Sequence, residues 1–341
     1  MKEHFAPLFE KKHPFVFFRL PNQNKVQCYF QETSTAYHTT DFSSSGFVFA
    51  PFEKTSTYLM IPDILRKEFV FTPQAEVTPK PIPNFLKDKV LFTDRVKVAK
   101  KIMQQQVLRK VVLSNPFLVD NAFSYMESFE ILLSFYPTAF VYLFYHPTTG
   151  LWMGASPERL FSISNNTLQT VALAGTIHRW DSKAQWTEKE FEEQQMVTDH
   201  IVAALSQSKA LGEIMVDERQ TVNAGNLQHL CTSITAELND YSLNEIIEKL
   251  HPTPAVGGFP TVEATQVIHA LEQYDRTFYT GFLGPFDQQK KVDFFVNLRC
   301  SRWEEEQIYI FSGAGITAKS IPEMEWEEIC RKVSTIYNAL R

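Results

Sequence analysis

The sequence predicts an α+β fold, with large antiparallel β-sheets flanked by helices in a single domain. Three observations point there. Segments of strand character arrive in consecutive runs joined by short turns, which favours antiparallel pairing over a doubly wound parallel sheet. Stretches with helical spacing stand between those runs. The strand-rich first 90 residues and the last third are built alike, so the 341-residue chain reads as one large domain.

Residues 1–90 carry short aromatic-rich strands, "PFVFFRL" and "SGFVFAPF". They end in the proline-punctuated connector "FTPQAEVTPKPIPNF", a linker or a long surface loop. From Asp94 to Gln106, "DRVKVAKKIMQQQ" has helical spacing and runs into "VLRKVVLSNPFLV", whose β-branched residues specify a strand. Strands are expected at "AFVYLFYH", "GLWMGASPERLFSI" and "TLQTVALAGT", followed by a long helix from near Trp186 over "WTEKEFEEQQMVTDHIVAALSQ". In the last third, helices are expected at "SLNEIIEKL", "TVEATQVIHALEQ" and "PEMEWEEICRKVSTIYNAL". Strands are expected there at "RTFYTGFLGPF", "KVDFFVNLRCSRW" and "QIYIFSGAGI".

With 44% hydrophobic residues, including 29 Phe, the chain has ample material for a substantial core. A net charge of -6 argues against a broad nucleic-acid or anionic-membrane footprint, while leaving room for a local cationic pocket. Cys28, Cys231, Cys300 and Cys330 show no metal-binding spacing and read as reduced thiols of a cytoplasmic protein. The start, "MKEHFAPLFEKKHPF", is broken by charge and proline before any apolar run develops, so neither a signal peptide nor a membrane anchor is expected.

Two helices present glutamates at i, i+3: Glu190 with Glu193, and Glu325 with Glu328. That spacing puts both carboxylates of a pair on one face. Two such faces meeting would make an oxygen-only site for a hard cation such as Mg²⁺; otherwise they are solvated helix faces. Lys110 interrupts a run that reads as buried strand, and period-2 alternation sends Lys110 and Val112 one way, Val111 and Leu113 the other. A desolvated lysine there could act as a general base; an edge-strand lysine reaching water is the plainer alternative. Glu158 in "GASPERL" follows a Ser-Pro turn, where a partly buried carboxyl could stay protonated as a general acid or pair with Arg159 at the surface. "SGAGI" could let backbone N–H groups approach an anion, but it lacks a nucleotide fingerprint. His229 sits in an apolar run that suits a core histidine. No HExxH occurs, and Ser114 and Ser156 lack a GxSxG context, which disfavours hydrolase chemistry.

In order, "KVVLSN", "GASPERL", "ALAGT", "KEFEEQQMVTD", "LQHLCTSI", "HPTPAVGGFP", "FYTGFLG", "FFVNLRC", "SGAGI" and "PEMEWEEICRK" resemble the chorismate-utilising enzymes. This family includes isochorismate, salicylate, anthranilate and aminodeoxychorismate synthases. The resemblance covers residues 95–340 as a catalytic core, with 1–90 less recognisable, and implies one chorismate-binding domain over 1–341 with a Mg²⁺ site in a deep cleft. It implies Glu193 and Glu328 as direct Mg²⁺ ligands, with Glu190 and Glu325 reaching the metal through water. Tyr279 and Arg299 match the residues that hold the enolpyruvyl carboxylate, and Gly313, Gly315 and Lys332 match groups around the ring carboxylate and metal. Gly175, Thr176, His229 and Ala255 complete the implied substrate-binding set.

Ala174 stands where aminodeoxychorismate synthases commonly carry a lysine nucleophile. Ala255 stands where the ammonia-using and salicylate-forming branches tend to have threonine, so the chain most resembles the isochorismate synthase branch. In that branch Lys110 aligns with the base that activates water for attack at C2, and Glu158 with the acid that protonates the departing C4 hydroxyl. Salicylate synthase is the alternative, and an anthranilate synthase component a weaker one. The family usually has arginine at Asn115 and histidine at Gln194. A monomeric cytoplasmic isomerase feeding menaquinone or siderophore synthesis is the expectation.

Overall fold

Alternate residues of the central strands face two different apolar cores, which is why runs such as "PFVFFRL" carry no polar face. The computed structural model describes residues 7–73, 80–178, 185–208, 211–224, 227–239, 241–288 and 291–341. In chain order the strands begin β1 (Phe15–Arg19), β2 (Lys25–Phe30), β3 (Tyr37–Thr39), β4 (Gly46–Ala50), β5 (Tyr58–Pro62) and β6 (Leu65–Val70). There follow β7 (Lys110–Asp120), β8 (Phe140–His146), β9 (Gly150–Ser156), β10 (Arg159–Ser164), β11 (Thr167–His178), β12 (Leu211–Val216) and β13 (Gln220–Ala224). The last are β14 (Leu227–Leu238), β15 (Gly258–Phe259), β16 (Phe282–Phe286), β17 (Val292–Val296), β18 (Cys300–Trp303) and β19 (Gln307–Ile316). The helices are α1 (Leu86–Met103), α2 (Tyr125–Phe135), α3 (Glu188–Ser206), α4 (Leu243–Leu250), α5 (Thr261–Glu272) and α6 (Pro322–Tyr337).

Among the described residues the strands form two antiparallel sheets. One has the order β15-β7-β19-β18-β9-β8-β1-β2-β6, the other β12-β14-β11-β10-β17-β16-β4-β5-β3, with β13 paired to β14. The expected α+β class is what the chain adopts. Between the sheets lies an aromatic core: Val16 and Phe18 of β1, Phe47 and Phe49 of β4, and Phe140, Tyr142 and Phe144 of β8. Phe140 of β8 stacks across the gap on Phe295 of β17 at 4.2 Å between centroids, while Trp152 of β9 stacks on Phe311 of β19 in its own sheet at 5.4 Å. The intervening residues face outward. Phe15 and Phe17 meet Phe92, Phe129 and Ile329 of α1, α2 and α6, whereas Val48 and Ala50 share a core with Val197 and Ile246 of α3 and α4. Helices therefore cover both outer faces, and period-2 side-chain alternation serves two cores at once.

Two expected strands prove to be four. "GLWMGASPERLFSI" breaks at Pro157–Glu158, and "KVDFFVNLRCSRW" breaks over residues 297–299, where Arg299 takes φ +47°. At each break the chain passes from one sheet to the other. The crossovers lie side by side: Ala155 N–H donates to the Arg299 carbonyl at 3.0 Å, and Val296 N–H to the Glu158 carbonyl at 3.0 Å. The Ser156 hydroxyl donates to the Val296 carbonyl at 2.5 Å. In "RTFYTGFLGPF" only Phe282–Phe286 is strand, because Thr277 and Thr280 adopt positive φ and turn the chain. α1 starts eight residues before the expected Asp94, and α2, which the sequence reading leaves unassigned, forms behind a Ser124 cap whose hydroxyl accepts from Glu127 N–H. All four cysteines are free thiols. No helix among the described residues is long and apolar enough to cross a membrane.

Phe140 is fully buried between the sheets. Phe140→Ala is expected to cost about 3–5 kcal/mol of unfolding free energy, the usual range for removing a buried ring; urea denaturation at equilibrium measures it, and a loss below about 1 kcal/mol would show that the stack with Phe295 does not hold the sheets together.

Candidate active site

The paired crossovers open onto a cleft of about 650 Å³. β7 contributes Lys110 and Val112, β19 Gly313 and Gly315, α6 Glu328 and Lys332, and α3 Glu193. The crossovers themselves bring Glu158 and Arg299. Gly175, His229, Ala255 and Tyr279 complete the expected set that lines it. The side chain of Thr176 lies outside the described residues.

The alternation read for β7 holds. Lys110 is 2% exposed on the cleft side, while Val111 and Leu113 pack into the helix-side core. Its ammonium donates to Glu193 Oε1 at 2.9 Å. Gly315 explains how it gets there: a Cβ at that position would lie 2.9 Å from Lys110 Cε, so any larger residue would displace the lysine. At Gly313 a Cβ would come within 3.0 Å of the Tyr279 hydroxyl. Bare backbone here makes room for two functional side chains.

On α6, Lys332 donates to Glu328 at 2.6 Å and to the Gly313 carbonyl at 2.9 Å. The other two glutamates stand back from the cleft. Glu190 Oε2 accepts from Thr187 N–H at 3.0 Å and from its hydroxyl at 2.5 Å, the reciprocal cap that starts α3. Its stem packs against Gly175 of the cleft wall. Glu325 is 6% exposed, one turn before Glu328. Among the described residues no three His, Cys, Asp or Glu side chains are gathered as a metal cluster. The donors that do line the cleft are two carboxylates from separate helices, each held by a lysine. Oxygen-only donors of this kind fit a hard divalent cation.

Burial pushes the Glu158 carboxyl up to about 7 even though Lys110 and Lys332 pull it down. A carboxylic acid therefore persists near neutral pH, as general acid catalysis needs. Burial also lowers His229, whose Nδ1–H donates to the Gly175 carbonyl at 2.9 Å. It stays neutral, with Nε2 as its acceptor. Arg299, half-buried on the cleft wall, donates to Thr335 Oγ1 at 3.0 Å. Tyr279 stacks on Phe311 at 5.3 Å. With Glu158 protonated, the lining carries Lys110, Arg299 and Lys332 against Glu193 and Glu328, an excess of positive charge suited to an anionic ligand.

The two departures from the family pattern lie outside this lining. Asn115 Nδ2 donates to the Pro116 carbonyl at 3.0 Å, and its Oδ1 accepts from Arg95 of α1 at 3.4 Å. Gln194 donates to Thr198 and Thr232 at 2.9 Å and accepts from Arg219 at 3.2 Å, tying α3 to β14. Tyr136, Thr138 and Thr335 also line the cleft and escaped the sequence reading. Thr335 had a signal, since it follows Glu328 and Lys332 on one helical face at i+7. The loop after α2 had none.

The family model described as chorismate binding enzyme matches residues 64–341. Isochorismate synthase EntC of Escherichia coli (strain K12) is 30% identical over 266 residues, 74% of this chain and 67% of that protein. The structure of MenF, the menaquinone-specific isochorismate synthase from Escherichia coli, superposes with TM-score 0.81 at 21% identity, covering 97% of this chain and 89% of that one. Anthranilate synthase component I from Streptococcus pneumoniae TIGR4 gives 0.72 at 16% identity over 95% and 92%. Both matches show the fold, which is common to different reactions.

A carboxyl with a midpoint near 7 can be seen directly. In protein carrying ¹³C at glutamate Cδ, one resonance is expected to titrate at about 7 and to be missing from Glu158→Gln. A midpoint near the ordinary 4.5 would contradict the desolvation of Glu158 in the cleft.

Proposed function

Since the chain belongs to the chorismate-binding enzyme family, we propose that it is an isochorismate synthase, a cytoplasmic monomeric isomerase that reversibly converts chorismate to isochorismate with Mg²⁺. The observation that carries this reading is the pairing, in one cationic cleft, of the buried Lys110 with the Glu158 carboxyl, which desolvation raises. Ala255 on the cleft wall favours water over ammonia chemistry by resemblance to that branch.

Arg299 and Tyr279 hold the enolpyruvyl carboxylate, while Lys332 and the backbone at Gly313 and Gly315 lie near the ring carboxylate. To act as the base Lys110 must first give up a proton; the amine then takes one from water as the water oxygen bonds C2. The ring double bonds shift, the C4–O bond breaks, and Glu158 gives its proton to the departing hydroxyl, so one water enters and one leaves. Fixed cations and dipoles stabilise the charge that develops without reorganising. Glu193 and Glu328 would hold Mg²⁺, with Glu190 and Glu325 behind them through water, and the ion would neutralise substrate carboxylate charge.

Product analysis on chorismate with and without Mg²⁺ and ammonium tests the assignment. Isochorismate formed only with Mg²⁺ is expected; growth of salicylate fluorescence, or anthranilate in the presence of ammonium, would replace it with a sister reaction. Glu328→Gln should keep the fold by circular dichroism and lose the metal-dependent rate, and unchanged turnover would refute its place as a ligand. Glu158→Gln should lower kcat by about 10²–10⁴-fold, the ordinary worth of a general acid. Loss of the Glu158 proton should put a break near 7 in the parent pH–rate profile that is missing from Glu158→Gln, and the same break in the variant would contradict the acid role.

A further inference from the structure

Behind the cleft lies an ion pair that the chemistry above does not use. Glu272, which ends α5, and Arg276 in the loop after it are 1% and 3% exposed. Arg276 Nε donates to Glu272 Oε2 at 2.7 Å, and Nη2 to Oε1 at 2.5 Å. The other guanidinium hydrogens reach out of the pair. Nη2 donates to the Val112 carbonyl at 2.7 Å, and Nη1 to the Val256 carbonyl at 3.0 Å and Thr280 Oγ1 at 3.2 Å. A guanidinium has five N–H donors, and here each has an acceptor. Glu272 Oε1 also accepts from Ser114 N–H at 2.8 Å and from its hydroxyl at 2.7 Å, while the Tyr274 hydroxyl donates to Ser114 Oγ at 2.6 Å.

These acceptors and donors belong to separate stretches of the cleft wall. Val112 stands two residues from Lys110, Val256 follows Ala255, Thr280 follows Tyr279, and Ser114 lies opposite Gly313 in the β7–β19 register. Neither Glu272 nor Arg276 lines the cleft. A buried ion pair adds little stability over apolar packing, so one with every donor matched invites a role in fixing geometry.

We propose that Glu272 and Arg276 are positioning residues: the pair fixes the strand bearing Lys110 against the segments bearing Ala255 and Tyr279, and so sets the distance from the base to the reacting water. This rests on the isochorismate synthase reading. Lysine would keep the charge at position 276 but lacks the planar five-donor fork, so it cannot bind all these segments together.

The test uses the full chain carrying Arg276→Lys, and separately Glu272→Gln, with kcat, KM for chorismate and the solvent deuterium isotope effect on kcat measured beside a thermal melt. In Arg276→Lys, kcat should fall about 10- to 100-fold, as displacements near 1 Å do. KM should change by a smaller factor than kcat, because Arg299 and Lys332, which the pair does not contact, still hold the substrate beside Tyr279. The isotope effect should rise, because proton transfer to a misplaced Lys110 becomes slower than the other steps. Partial unfolding lowers the rate without moving the isotope effect or KM, so a loss of rate with a parental isotope effect overturns the proposal, as does parental kcat. Glu272→Gln should move the same quantities in the same direction by less, and it decides the matter if Arg276→Lys does not fold. A parent chain that does not turn chorismate over overturns the functional reading and this proposal together; an active parent with unaltered variants overturns the positioning role alone.

Discussion

The site depends on the hydrogen bonding that joins the two places where the chain changes sheets. Ala155 to Arg299 and Val296 to Glu158 are backbone bonds between adjacent crossovers, and the Ser156 hydroxyl closes the same junction. A strand that leaves one sheet for another must find partners for backbone groups that its old neighbours no longer satisfy. Here each crossover satisfies the other. Glu158 and Arg299 are thereby held at one seam, the acid and the cation on backbone that has little freedom to move. The aromatic core beside it, with Phe140 of one sheet stacked on Phe295 of the other, keeps the sheets at the separation that this seam requires.

Charge in the cleft is arranged around that seam. Lys110 and Lys332 neutralise Glu193 and Glu328, and burial keeps Glu158 a carboxylic acid near neutral pH. Two carboxyl groups are paired with lysines, whereas a third, away from direct ion pairing, is pushed up to about 7 by burial. The same residue type serves two purposes because its surroundings differ. His229, neutral and donating to Gly175, adds shape and an acceptor without further positive charge.

Much of this was legible in the sequence, and the failures have physical reasons. Strand alternation set Lys110 on the face opposite Val111 and Leu113 but left an edge lysine reaching water as the plainer alternative, and its burial at the cleft decides between them. Glu328 and Lys332 followed from helical spacing, and Thr335 on the same face could have been added. Glu190 and Glu193 share the spacing, but Glu190 also sits three residues after Thr187, and the helix start claims its carboxylate. The crossovers were invisible because an apolar alternating run looks the same whether it stays in one sheet or passes to the next; only Pro157 hinted at the first break, and nothing announced the second. Asn115 and Gln194 depart from the family pattern at positions that pack helices onto strands, which explains how the cleft lining tolerates them.

In the proposed reaction Lys110 and Glu158 exchange a water oxygen for the C4 hydroxyl. Turnover of chorismate in H₂¹⁸O with Mg²⁺, followed by mass spectrometry of isochorismate from short incubations, tests it most directly. One ¹⁸O at C2 is the predicted result. Isochorismate that keeps its original oxygen would mean that the hydroxyl migrates within the substrate, and the roles assigned to both residues would fail.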